Sequence, residues 1–171
     1  MAMSAQTVAL KAVNCMDRAQ FVAALGWIFE HSPWVAERAW EERPFASRAD
    51  LHAAMVAQVK AAAAGEQLAL MRAHPDLGAR ARMSDASVGE QADAGLDMLT
   101  AEEYERLQRL NAAYRGKFGF PFLHAVRGST KHDILRALEE RLARGVDAEH
   151  ATALKQIFRI AQFRLEDTVD A

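Results

Sequence analysis

The sequence contains a single cysteine, Cys15, among 171 residues. No disulfide can form within the chain, and a reducing compartment suits it. It also lacks any apolar run near the eighteen or so residues that a membrane-spanning helix needs. Met1 to Gln6 has neither a basic region nor an apolar stretch, so no secretory signal is expected. The closing Thr168-Val169-Asp170-Ala171 is not a peroxisomal tripeptide. These absences make the cytoplasm the expected location. Neither charge is in excess: 21 Lys and Arg stand against 23 Asp and Glu, a net charge of −2. No global basic field exists to draw nucleic acid or anionic lipid. Internal repeats, low-complexity tracts and linker-like stretches are missing, and strand signals are scarce.

Helix signals are plentiful. The chain is 51% apolar and 26% charged, enough to fill one core at this length. Asn14 or Asp17 can open a helix bearing Phe21, Leu25, Ile28 and Phe29 at helical spacing. Ser32-Pro33 reads as a cap with proline at the first helical position, and Ser47 caps a helix carrying Leu51, Met55 and Val59. A further helix ends at Ala73, because Pro75 disfavours α geometry at His74. Ser87 to Leu99 reads as helical. Thr100-Ala101-Glu102-Glu103 is a capping box that opens a longer helix, broken by Phe118-Gly119-Phe120-Pro121-Phe122. Ser129 or Thr130 starts another helix, and Asp147 starts the last, with Leu154, Ile157, Phe158, Ala161 and Leu165 as its stripe. The expectation is an all-α, single-domain bundle of roughly seven or eight helices over residues 1–171.

Four places can carry chemistry. His74 sits on restrained backbone at a helix exit, as a proton-transferring group would need; the plainer role is a part-exposed residue capping the last carbonyls. Ser87-Val88-Gly89-Glu90 is itself a capping box, although Gly89 is a poor helix former and small side chains leave amides open to a ligand. The aromatic block at 118–122 either plugs the core or walls a flat pocket. Arg164 is either solvated or a clamp for a carboxylate. A metal site is not expected. The six histidines (His31, His52, His74, His124, His132 and His150) never lie three or four residues apart, and no cysteine pair exists.

The blocks "LGWIFEHSPWVAERAW", "AHPDLG", "SVGEQADAGLDML", "NAAYRGKFGFPFLHAVRG" and "RIAQFRLEDTV" together resemble the 2-oxo-4-hydroxy-4-carboxy-5-ureidoimidazoline (OHCU) decarboxylases of urate breakdown. The similarity runs from about Phe21 to Asp167 with the blocks in family order. The resemblance implies an all-helical fold, a homodimer, and a carboxy-lyase that needs no metal or organic cofactor. The reaction implied removes CO2 from OHCU and yields (S)-allantoin, with functional coupling to a 5-hydroxyisourate hydrolase. By motif, His74 matches the catalytic histidine and Glu90 a second catalytic group, with Pro75 against the substrate. Ser87, Val88, Gly89, Glu90 and Gln91 match the block that holds ureido and ring groups. Phe122, Leu123, His124, Ala125 and Val126 match a binding stretch acting partly through backbone, and Arg164 a substrate-contacting arginine. Two rival readings are a non-catalytic helical ligand-binding module and a hydrolase of a related ureide. The favoured reading requires His74 to face the Ser87–Gln91 segment.

Overall fold

The structure is a computed structural model that describes residues 6–78 and 84–170. Among those residues are nine α-helices, one 3-10 turn and one pair of two-residue strands, an all-α architecture as the helix signals require. The backbone divides into two compact units, one formed by residues 1–70 and 158–171 and the other by 71–157.

In the first unit, β1 (Val8–Ala9) pairs in parallel with β2 (Val169–Asp170). Helix α1 (Leu10–Asn14) follows, then α2 (Arg18–Leu25), which Asp17 opens in a capping box with Gln20. Of the two possible openers Asp17 is therefore the cap, while Asn14 ends a short helix that the apolar spacing did not reveal. Ile28 and Phe29 lie beyond α2 in turns but remain buried. Helix α3 (Trp34–Ala39) runs into a 3-10 turn at Trp40–Glu42. Its N-cap is Pro33 rather than Ser32, because the Ser32 hydroxyl donates instead to the Glu30 carbonyl at 2.9 Å. Ser47 caps α4 (Arg48–Ala61) through the Asp50 amide, and Leu51, Met55 and Val59 are its buried face. Each such side chain, fully buried, contributes about 1.5–3 kcal/mol.

Helix α5 (Ala64–Ala73) ends in the second unit, where α6 (Asp85–Asp93), α7 (Ala101–Phe118), α8 (Lys131–Leu142) and the first half of α9 (Val146–Thr168) lie. Thr100 and Glu103 close the expected capping box on α7, and Gly119, at φ 80°, takes the left-handed C-cap where a side chain would be strained. Thr130 opens α8.

Helix α6 corrects the reading of Ser87 to Leu99. Its N-cap is Ser84, whose hydroxyl accepts from the Ser87 amide, so Ser87 is an interior residue of the first turn and forms no capping box with Glu90. Starting there places Asp85 in the first turn, where its charge suits the helix dipole, and turns Ser87 and Gln91 inward together. The helix ends early at Gly95, which adopts φ 82° while the Leu96 amide donates to the Gln91 carbonyl and the Gly95 amide to the Ala92 carbonyl. That pair of bonds is a Schellman stop.

Candidate active site

The five residues from His74 to Gly78 tie the end of α5 to α6 and α7. His74 lies immediately past the end of α5, its backbone amide 3.3 Å from the Met71 carbonyl, with Pro75 next. Its side chain is buried, only 6% exposed, so the picture of a part-exposed histidine at the helix end does not hold. After Pro75, the next three residues are tied in sequence. Arg115 of α7 donates to the Asp76 carboxylate at 2.9 Å. Asn111 of α7, buried, donates its amide to the Leu77 carbonyl at 2.9 Å. The Gly78 amide donates to the Gln91 side-chain oxygen at 2.8 Å. Gly78 has φ 70°, and a Cβ there would come within 2.5 Å of Leu107 Cδ2, so only glycine fits. Ahead of the corner, Arg72 donates to the Gly119 carbonyl at 2.9 Å.

The His-Pro corner is thus tethered to α6 through Gln91, to α7 through Asn111 and Arg115, and to the start of the 119–126 segment through Arg72. Ser87 and Gln91, one helical turn apart, are buried, and Glu90 beside them is part-buried. Val88 is 50% exposed and Gly89 is exposed, in the second turn rather than at the helix start. An anion held on open amides beside Gly89 therefore has no basis in this helix.

The aromatic block resolves toward the core. Phe118, Phe120 and Phe122 are buried around Tyr114, with ring centroids 4.5, 5.9 and 5.4 Å from it. Leu123, Ala125 and Val126 are buried as well, while His124 is half-buried, stacked parallel to Phe122 at 5.8 Å. Burial of Tyr114 and its bond to Glu149 push the phenol well above its ordinary range, so it remains a neutral donor.

Arg164 belongs to the first unit and is not solvated. Its Nη2 donates to Glu30 Oε2 at 2.8 Å, and its Nη1 lies 3.3 Å from the Trp27 and Ile28 carbonyls. Sequence spacing missed Glu30, which is buried within the "FEHSPW" block; a carboxylate inside an apolar stripe was the available signal. His31, next to it, holds a positive φ of 47°, uncommon for a residue with a side chain. Among the described residues, no three His, Cys, Asp or Glu side chains converge as metal ligands would. Among the same residues, no helix is long and apolar enough to cross a membrane.

A sequence model of the OHCU decarboxylase family matches residues 14–166. The chain is 49% identical over 158 residues to a 2-oxo-4-hydroxy-4-carboxy-5-ureidoimidazoline decarboxylase of Haloferax volcanii, covering 92% of this chain and 94% of that protein. It is also 49% identical over 157 residues to the uric acid degradation bifunctional protein PucL of Bacillus subtilis, of which it spans 32%. The crystal structure of an (S)-allantoin synthase superposes with a TM-score of 0.80 at 35% identity, covering 95% of this chain and 55% of that one.

Proposed function

The chain belongs to the OHCU decarboxylase family, and from that premise we propose that it removes CO2 from OHCU to yield (S)-allantoin in urate breakdown. The observation that carries the site is the Gly78–Gln91 hydrogen bond, which ties the corner bearing a buried His74 to the inward face of α6.

OHCU carries its carboxylate on a carbon that also bears a hydroxyl and adjoins unsaturated ring groups. When the bond to the carboxylate breaks, its electron pair stays on that carbon and spreads into the ring, so the charge is delocalised within the substrate itself. The neighbouring carbon that bears the ureido group takes up a proton and becomes the new stereocentre, while the hydroxyl gives up its proton and becomes the ring carbonyl. The protein's work is to fix the carboxylate relative to the ring, to stabilise charge on the ring heteroatoms and to manage that proton. In this reading His74 transfers protons and orients the substrate at its hydroxyl and carboxylate end, since an imidazole can both donate and accept a proton. Glu90 pairs with His74 or with ureido N–H groups. Ser87 and Gln91 supply neutral hydrogen bonds, with Gln91 already accepting from Gly78. Pro75 lies against the substrate, and the Phe122–Val126 stretch binds it partly through backbone. Val88 and Gly89, exposed in the second turn of α6, take no amide contact in this reading.

The reading includes a homodimer in the cytoplasm, working after a 5-hydroxyisourate hydrolase that supplies unstable OHCU. The name of one relative, a bifunctional protein of uric acid degradation, supports a place in that breakdown. The test mixes the purified protein with freshly generated OHCU and follows absorbance and optical rotation. Accelerated decay with release of CO2 and (S)-allantoin is expected. Decay at the uncatalysed rate, or ring hydrolysis without CO2, would overturn the assignment.

A further inference from the structure

Between Gly119 and Thr130 the chain forms no helix or strand, yet its backbone is held by side chains from α8 and α9. Arg141, in the last turn of α8 and 8% exposed, donates Nη1 to the Leu123 carbonyl at 2.6 Å. Its Nε donates to Glu149 Oε1 at 2.5 Å, and its guanidinium lies over the Phe122 ring, 4.5 Å from the centroid. Glu149, in the first turn of α9, is wholly buried. The same carboxylate accepts from the Tyr114 hydroxyl at 2.6 Å and pairs with Arg144 at 3.4 Å. Two residues further along the stretch, the Ala125 amide donates to Gln156 of α9 at 2.9 Å.

We propose that Arg141, anchored by Glu149 and Tyr114, is a positioning residue that sets the Phe122–Val126 backbone for substrate. This role rests on the reading of that stretch as a binding segment.

Three features favour positioning over mere fold stability. A buried ion pair adds little net stability over an apolar pair of similar size, so these charges need another reason to be inside. The guanidinium is a rigid fork: Nε and Nη1 point along fixed directions, so Glu149 on one side determines where Nη1 meets the Leu123 carbonyl on the other. Stacking on Phe122 removes the remaining freedom of the plane. With Leu123 C=O and Ala125 N–H both committed to the protein, the backbone contacts to substrate fall on the other groups of the stretch, which this pair of bonds orients.

Lysine keeps the charge of Arg141 but cannot span both partners, which makes Arg141→Lys the informative change. Because it leaves Glu149 buried with a poorer partner, a double variant, Arg141→Met with Glu149→Gln, removes both charges together. Each is compared with the wild type in OHCU turnover and in hydrogen exchange of peptides covering 119–128. Expected are exchange at least tenfold faster in that segment, wild-type protection in α7 and α8, and KM raised roughly tenfold with a smaller change in kcat. Unchanged exchange, or faster exchange with wild-type KM, would overturn the proposal. Unfolding of both variants would overturn it too, since the network would then serve the fold alone. A wild type inert towards OHCU removes the functional reading and this role with it; an active wild type with indifferent variants removes this role only.

Discussion

At His74, two constraints coincide: a backbone restricted by the proline that follows, and a side chain enclosed by protein. An imidazole so held loses little freedom on meeting a substrate, which suits proton transfer. His74→Asn keeps a similar volume and some hydrogen bonding but cannot exchange a proton. It is expected to retain wild-type circular dichroism while lowering kcat for OHCU by about 10²–10⁴-fold, the usual contribution of acid–base catalysis. Wild-type turnover in that variant would remove His74 from the mechanism. Glu30 and Arg164 pose a different problem, because both charges lie inside and each depends on the other. Glu30→Ala leaves the guanidinium buried without its carboxylate and is expected to cost about 3–5 kcal/mol in urea unfolding. A loss under 1 kcal/mol would show that the carbonyls of Trp27 and Ile28 suffice to hold Arg164.

Helix starts can be tested one at a time. Since the α6 cap is the Ser84 hydroxyl, Ser84→Ala is expected to destabilise by about 1 kcal/mol and to speed amide exchange in the first turn of α6. Ser87→Ala is expected to leave that exchange unchanged and to impair OHCU binding instead, so the two serines separate capping from substrate contact. The start of α7 has an acid-sensitive component. Lys131 and the Thr100 amide hold the Glu103 carboxyl down at about 2, from an ordinary 4.5. A carboxyl with a lowered folded pKa stabilises the fold above its unfolded pKa, and that stability is lost as pH falls through the folded value. The window is therefore pH 4.5 down to about 2. Glu103→Gln is expected to lower Tm at pH 6 and to match the wild type near pH 2; a constant gap across that range would rule out the ionic contribution.

At the level of the whole chain, α5 and α9 each carry residues of both compact units without a break in the helix. Breaking either helix at the boundary would expose backbone groups that are paired inside it. We therefore propose that residues 1–171 unfold as one domain. Calorimetric and van't Hoff enthalpies are expected to agree, with far-ultraviolet and tryptophan signals melting together. Two resolved transitions would show that the units fold independently.

How much of this was legible beforehand follows the range of the interaction involved. Asp17, Ser47, Thr100 and Thr130 could be read as caps because a cap bonds an amide three residues away, and the His74-Pro75 corner because proline acts on its immediate neighbour. Local rules failed where two local solutions competed. Ser84 and Ser87 both offer a hydroxyl, and the choice went to the register that buries Ser87 and Gln91 together. Similarity of ordered motifs pointed to the family, and with it the chemistry. What local pattern could not supply was the company each charge keeps. Glu30 meets Arg164 across 134 residues of chain, and Glu149 gathers Tyr114 and Arg141 from two other helices. The sequence by itself determined the longer helices, four of their caps and the backbone of the histidine corner. Tertiary structure alone decided which charges could be buried, because a buried charge is tolerable only when folding brings it a partner.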